Sequence, residues 1–129
     1  MHGVIRGMAL VLVAIFLASV ARFYHPGTGF TALIAFPRGN PSEAPALQAI
    51  PHETVPPWGS YDGQFYAQRA LDPLLRDPRV DRAMDLAPYR ARRILFSWTA
   101  YLLGLGRPAW ILQAFALQNV ASWLLLAFL

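Results

Sequence analysis

Residues 109–129 read AWILQAFALQNVASWLLLAFL, twenty-one residues without a charge. As an α-helix this stretch covers about 31 Å, the thickness of a hydrocarbon core of about 30 Å. Trp110 and Trp123 fall near its two ends, where interfacial aromatics are expected. Gln113, Gln118 and Asn119 are polar but uncharged. In lipid such amides turn toward other helices, so the stretch reads as one span of a helical bundle. The rest of the chain agrees with a membrane protein. Of 129 residues, 56% are hydrophobic and only 14% charged, with a mean hydropathy of +0.36. The apolar residues gather at the two ends and flank a polar, Pro-rich middle, a distribution unlike that of a soluble core.

Working back from that stretch, residues 94–106 give thirteen uncharged positions, only about 20 Å of helix. Arg90, Arg92 and Arg93 precede them, and Gly104-Leu105-Gly106-Arg107-Pro108 reads as a tight turn. Residues 90–129 are therefore expected to form a transmembrane hairpin whose first arm is short. At the other end, residues 7–21 are fifteen uncharged residues between Arg6 and Arg22. With Phe23 and Tyr24 extending them and Arg22 snorkelling to the headgroups, residues 1–24 read as a first span. A secretory signal peptide is the rival reading, with Ser19-Val20-Ala21 as the cleavage site. Arg6 and Arg107 favour a cytoplasmic N-terminus, which puts residues 25–89 outside the cytoplasm.

Every positive side chain except the histidines is arginine: eleven Arg, no Lys, against seven acids, for a net charge of +4. The arginines are scattered beside apolar segments rather than gathered on one face, which argues against nucleic-acid binding. The chain has no cysteine, so disulfides, thiolate metal sites and cysteine nucleophiles are excluded. His2, His25 and His52 have no paired ligand spacing, and no metal site is expected from them. No glycine-rich phosphate loop and no serine nucleophile elbow is present.

All seven acids lie between Arg22 and Arg93. Pro26, Pro37, Pro41, Pro45, Pro51, Pro56 and Pro57 forbid long helices in the first half of this segment. The run from Thr31 to Phe36 reads as a short strand or an interface-lying segment. In the second half Ser60 is placed to cap a helix running to Leu71. Asp72-Pro73 and Asp77-Pro78 share one pattern, an acid that accepts backbone N–H bonds followed by proline at the first helical position. Two or three short helices are expected here. The alternating charges from Arg76 to Asp85 read as a solvated face.

Tyr61-Asp62-Gly63-Gln64-Phe65-Tyr66 puts a carboxylate, an amide and two phenols within six residues. On a helix Asp62 and Tyr66 share a face, with Arg69 near it. A carboxylate so placed can take a proton from a hydroxyl, and arginine can hold an anionic group. The structural alternative is that Asp62 caps a helix while the rings are buried. Arg90, Arg92 and Arg93 fall at a membrane interface, suited either to lipid phosphate or to simple anchoring.

The block from Tyr61 to Tyr66, then Leu71-Asp72-Pro73 and Tyr89-Arg90-Ala91-Arg92-Arg93-Ile94-Leu95, resembles the N-terminal part of polytopic bacterial membrane proteins related to the GT-C superfamily of lipid-linked-sugar glycosyltransferases. The resemblance implies a catalytic acid in the first extracytoplasmic loop, acting as base toward the acceptor hydroxyl or as a metal ligand, and a sugar donor on polyprenyl phosphate. Asp62 matches that acid, and Asp72 is a second candidate. Tyr61, Gln64, Tyr66 and Arg69 are then substrate-binding neighbours, and Arg92 and Arg93 phosphate contacts. Complete family members have many more spans, so the resemblance implies a fragment that works with further transmembrane helices or a partner subunit.

The sequence thus leads to an all-α membrane protein of about three transmembrane helices, multi-pass in a cell inner membrane, with a Pro-rich extracytoplasmic loop containing short helices. Its expected activity is transfer of a sugar from a polyprenyl-phosphate donor. A small non-catalytic membrane subunit whose polar middle docks a partner is the alternative.

Overall fold

The computed structural model describes residues 2–85, 87–92 and 94–128. The chain is mostly helical: α1 (His2–Ala21), α2 (Pro45–Gln48), α3 (Gly63–Leu71), α4 (Pro78–Arg82), α5 (Ala87–Ala91), α6 (Ile94–Leu103) and α7 (Pro108–Phe128), with single 3-10 turns at Thr31–Ile34 and Pro57–Gly59.

The expectation of an all-α chain is corrected by a small parallel sheet. Strand β1 (Phe36–Pro37) pairs with β2 (Thr54–Val55) in the register Phe36↔Thr54 and Pro37↔Val55. The apolar run that begins at Thr31 winds into a 3-10 turn and is stopped by Ala35 in the left-handed region, φ 56°. Only Phe36 and Pro37 emerge extended. Prolines on either side leave no room for a longer strand.

Of the three expected spans, one helix among the described residues is long and apolar enough to cross a membrane: α7. The apolar part of α1, Arg6–Ala21, is shorter. The ten residues of α6 make about 15 Å of helix, half a hydrocarbon core. Helix α6 is short because Leu105 and Gly106, at φ 51° and 68°, turn the chain immediately after it. Its N-terminal end starts just beyond α5.

Helix α7 is divided along its length. Ile111, Leu112, Phe115, Ala116 and Gln118 are buried, whereas Trp123, Leu125, Leu126 and Phe128 are exposed. The buried half forms one wall of the core, with Ile34, Phe36, Leu47, Ala67, Ala70 and Ala100. Alanines at 67, 70 and 100 and the fully buried Ser97 remove side-chain bulk where α3 meets α6. The two helices are fastened there by the Ser97 hydroxyl donating to the Tyr66 carbonyl (2.9 Å). Phe96 and Phe115 meet edge to face at 5.0 Å, a favourable aromatic geometry. At the hairpin turn a side chain on Gly104 would meet the Ile111 backbone at 2.5 Å, so α6 and α7 touch backbone to backbone.

Two of the three amides of α7 face other elements, while Asn119 is exposed. Gln118 Nε2 donates to the Phe96 carbonyl of α6 (3.1 Å). Gln113 grips the turn after α1, accepting from Phe30 N (2.8 Å) and donating to Thr28 O (3.0 Å). Gly29 is required between them: its φ is +62°, and a Cβ would lie 2.4 Å from Gln113 Oε1. The other end of α1 approaches the end of α7, where Arg6, Leu10 and Val13 line one shallow cleft with Ala127 and Phe128. The two long helices therefore run antiparallel, and the side chains of α1 from Arg6 to Ala21 are exposed or half-buried.

Candidate functional site

The N-terminal end of α3 and the segment leading into α5 build a charged cluster. Pro57–Gly59 forms a turn closed by Ser60, whose hydroxyl donates to Pro57 O (2.9 Å). Ser60 thus belongs to that turn, and Asp62 occupies the N-cap position of α3. Asp62 makes no side-chain capping bond. Its Oδ1 instead accepts from Arg90 Nη2 at 3.1 Å. Arg90 also holds Asp85 with two bonds, Nε to Oδ1 at 2.5 Å and Nη2 to Oδ2 at 3.0 Å, the fork geometry that makes arginine–carboxylate pairs strong.

The guanidinium lies 4.2 Å from the Phe65 ring centroid and 5.4 Å from that of Tyr66, within cation–π range. The Arg90 side chain is 4% exposed, against 69% for Asp62. Arg90 is therefore a buried cation with its long axis covered by aromatic surface and its charge met by two acids at the rim. Asp85 hydrogen bonding raises its pKa most, burial opposes, and Asp62 adds a further rise. Among the described residues no group pairs with the second Asp62 oxygen. The Asp62 side chain is largely exposed and tethered through its other oxygen to Arg90.

The other residues named from the sequence divide between this cluster and elsewhere. Tyr61 turns away: its hydroxyl donates to Leu33 O at 2.5 Å, and burial raises its pKa. Gln64 is buried, with Oε1 unpaired and Nε2 reaching only Ser60 Oγ at 3.5 Å. Tyr66 places its ring against Arg90 with its hydroxyl buried and without a hydrogen-bond partner. Arg69 is 4% exposed with two unpaired nitrogens. Burial pulls its pKa down, and the Asp81 charge opposes.

Asp72 lies at the far end of α3, where its carboxylate accepts from Asp77 N (2.8 Å) and ties a turn. It is the C-cap of α3 and not the N-cap of a following helix. Asp77 is the N-cap of α4, accepting from Arg79 N at 2.9 Å. Arg92 lines a separate, largely apolar groove of about 460 Å³ with Leu95, Phe96, Gln118 and Ser122. Arg93 lies outside the described residues.

The structure thus gathers Asp62, Phe65, Tyr66, Asp85 and Arg90, and leaves Asp72 and Arg92 apart. From the sequence alone Arg90 falls with Arg92 and Arg93 at a membrane interface, and Asp85 belongs to a solvated face. The available signal was Asp85 five residues before Arg90, bracketing Pro88, which suits a short reversal closed by an ion pair. No three His, Asp or Glu side chains converge as a metal-binding group among the described residues. Neither a protein-family model, nor a curated protein, nor a solved structure matches the chain.

Proposed function

We propose that this chain is part of an integral membrane glycosyltransferase that moves a sugar from a polyprenyl-phosphate donor outside the cytoplasm. In this reading α1 and the exposed second half of α7 insert into an inner membrane, α6 and the first half of α7 pack against residues 25–89 at its surface, and further helices or a partner subunit cover the exposed apolar faces of α1 and α7. Residues 25–89 stand on the outer side.

The observation that carries the proposal is Asp62, a largely exposed carboxylate tethered through one oxygen to a buried arginine. As the acceptor hydroxyl oxygen bonds to the anomeric carbon, its proton passes to Asp62. The anomeric carbon–oxygen bond to phosphate breaks, and polyprenyl phosphate leaves. Arg90, with the rings of Phe65 and Tyr66 beside it, holds the carboxylate in place. General base catalysis is worth about 10²–10⁴-fold, so Asp62→Asn lowers transfer of a labelled sugar from a polyprenyl-phosphate donor by that factor, with membrane insertion unchanged. Transfer at the full rate would overturn the proposal.

One observation favours the second reading, a non-catalytic subunit. The Asp62–Arg90–Asp85 network fastens α3 to the segment before α6, a purely structural use of the same residues. Under that reading Asp62→Asn changes stability alone.

A further inference from the structure

A cavity of about 510 Å³ lies at the far end of α3, away from the Asp62 cluster. Trp98 and Tyr101 of α6 stand on its wall, and the turn from Leu71 to Pro78 supplies most of the remainder. The two rings meet edge to face, with 6.0 Å between centroids and 74° between planes, and both are half-buried. Three residues apart on one helix, they share a face and form an aromatic corner. Pro73 and Val80, both buried, add apolar surface.

The charged residues of this wall are Asp72, Arg76 and Asp77. Asp77 is spent, since both its oxygens accept from the Arg79 side chain. Asp72 gives Oδ2 to Asp77 N, and its Oδ1 has no partner among the described residues. Asp72 is half-buried, whereas Arg76 is exposed, so water screens the arginine more than the carboxylate. The long Arg76 stem also lets its guanidinium stay in solvent. Aromatic faces attract a cation, and the carboxylate adds to that attraction. A primary ammonium brings three N–H donors, and among the charged groups here only one carboxylate oxygen is free to accept. A quaternary ammonium brings none, and its methyl shell suits Pro73, Val80 and the two rings. At about 30 Å³ per water-sized volume, the cavity exceeds a trimethylammonium group and leaves space for the chain that carries it.

We propose that this cavity binds a quaternary ammonium ion, its methyl groups in the corner of Trp98 and Tyr101 and its charge met by the free oxygen of Asp72. The site is independent of the sugar-transfer reading, because Asp62 and Arg90 take no part in it.

The test is saturation-transfer NMR of the chain in maltoside micelles with choline, ethanolamine and 3,3-dimethylbutan-1-ol, the uncharged carbon analogue of choline. Choline receives saturation and binds about two- to thirtyfold more tightly than the alcohol, the range of one cation–π contact, and more tightly than ethanolamine. Trp98→Leu weakens choline binding by a factor in the same range. Asp72→Asn weakens it about two- to fivefold, the scale of a partly exposed charge pair. Its amide oxygen still accepts from Asp77 N, so the turn survives in this variant should Trp98→Leu disturb the packing of α6. Arg76→Gln removes the one opposing charge and strengthens choline binding about two- to fivefold. The site is overturned by no saturation of choline, by equal binding of the alcohol or of ethanolamine, or by choline binding unchanged in Trp98→Leu and Asp72→Asn. Weaker choline binding in Arg76→Gln overturns it as well.

Discussion

At the scale of single residues, Arg90 decides whether the cluster holds together. Arg90→Met keeps the aromatic packing and strands two carboxylates. Breaking a fully buried pair costs about 3–5 kcal/mol; with Asp62 and Asp85 partly in water, a loss of about 1–3 kcal/mol is expected here, visible as a lower Tm in detergent. Arg90→Lys recovers little of it, because an ammonium cannot reproduce the fork on Asp85. Tyr61 gives a pH signature of opposite chemistry. Its folded pKa is raised above the ordinary 10.0 by burial, so its stabilising contribution is complete below pH 10.0 and lost as pH climbs through the raised value. A thermal-melt series at alkaline pH reads this directly, and Tyr61→Phe flattens that part of the profile. The chemistry of Asp62 was legible in the sequence as an acid among aromatics. Its partner was not, because Arg90 is twenty-eight residues away, and nothing local distinguishes it from the arginines that follow.

At the scale of elements, the helix signals that rest on local backbone chemistry were legible. Asp77-Pro78 opens α4 as its pattern requires. Asp72-Pro73 carries the same pattern and opens a turn instead, because the Asp72 carboxylate is taken by Asp77 N and Leu75 adopts φ 52°. The β1–β2 pair was hidden, since two-residue strands have no period to read and meet across intervening loop. The α6–α7 turn offers a mechanical test. Gly104→Ala drives a methyl group into the Ile111 backbone, and overpacking of this kind costs about 1–3 kcal/mol. The Gln113 clamp offers another: Gln113→Leu leaves Phe30 N and Thr28 O without their partner, a loss of about 1–3 kcal/mol. Hydrogen exchange at Phe30 should rise in that variant while α3 stays protected.

At the scale of the molecule, the sequence pattern of apolar ends around a polar middle survives as geometry, but the boundary falls elsewhere than the pattern implies. The first half of α7 belongs to the core of the globule, and only its second half presents a bare apolar surface alongside α1. Hydropathy alone cannot separate these halves, since the side chains that meet α3 and α6 are as apolar as those that meet nothing. If the chain sits in a membrane as proposed, lipid covers Leu12 of α1 and Leu125 of α7, both more than 60% exposed, while Asp62 stands in water. A chain without cysteine lets this be measured site by site. Leu12→Cys, Leu125→Cys and Asp62→Cys, each in sealed membranes, are labelled with a membrane-impermeant maleimide. Position 62 is expected to label rapidly, with 12 and 125 protected until detergent is added; labelling of all three at one rate before detergent would rule out the membrane placement.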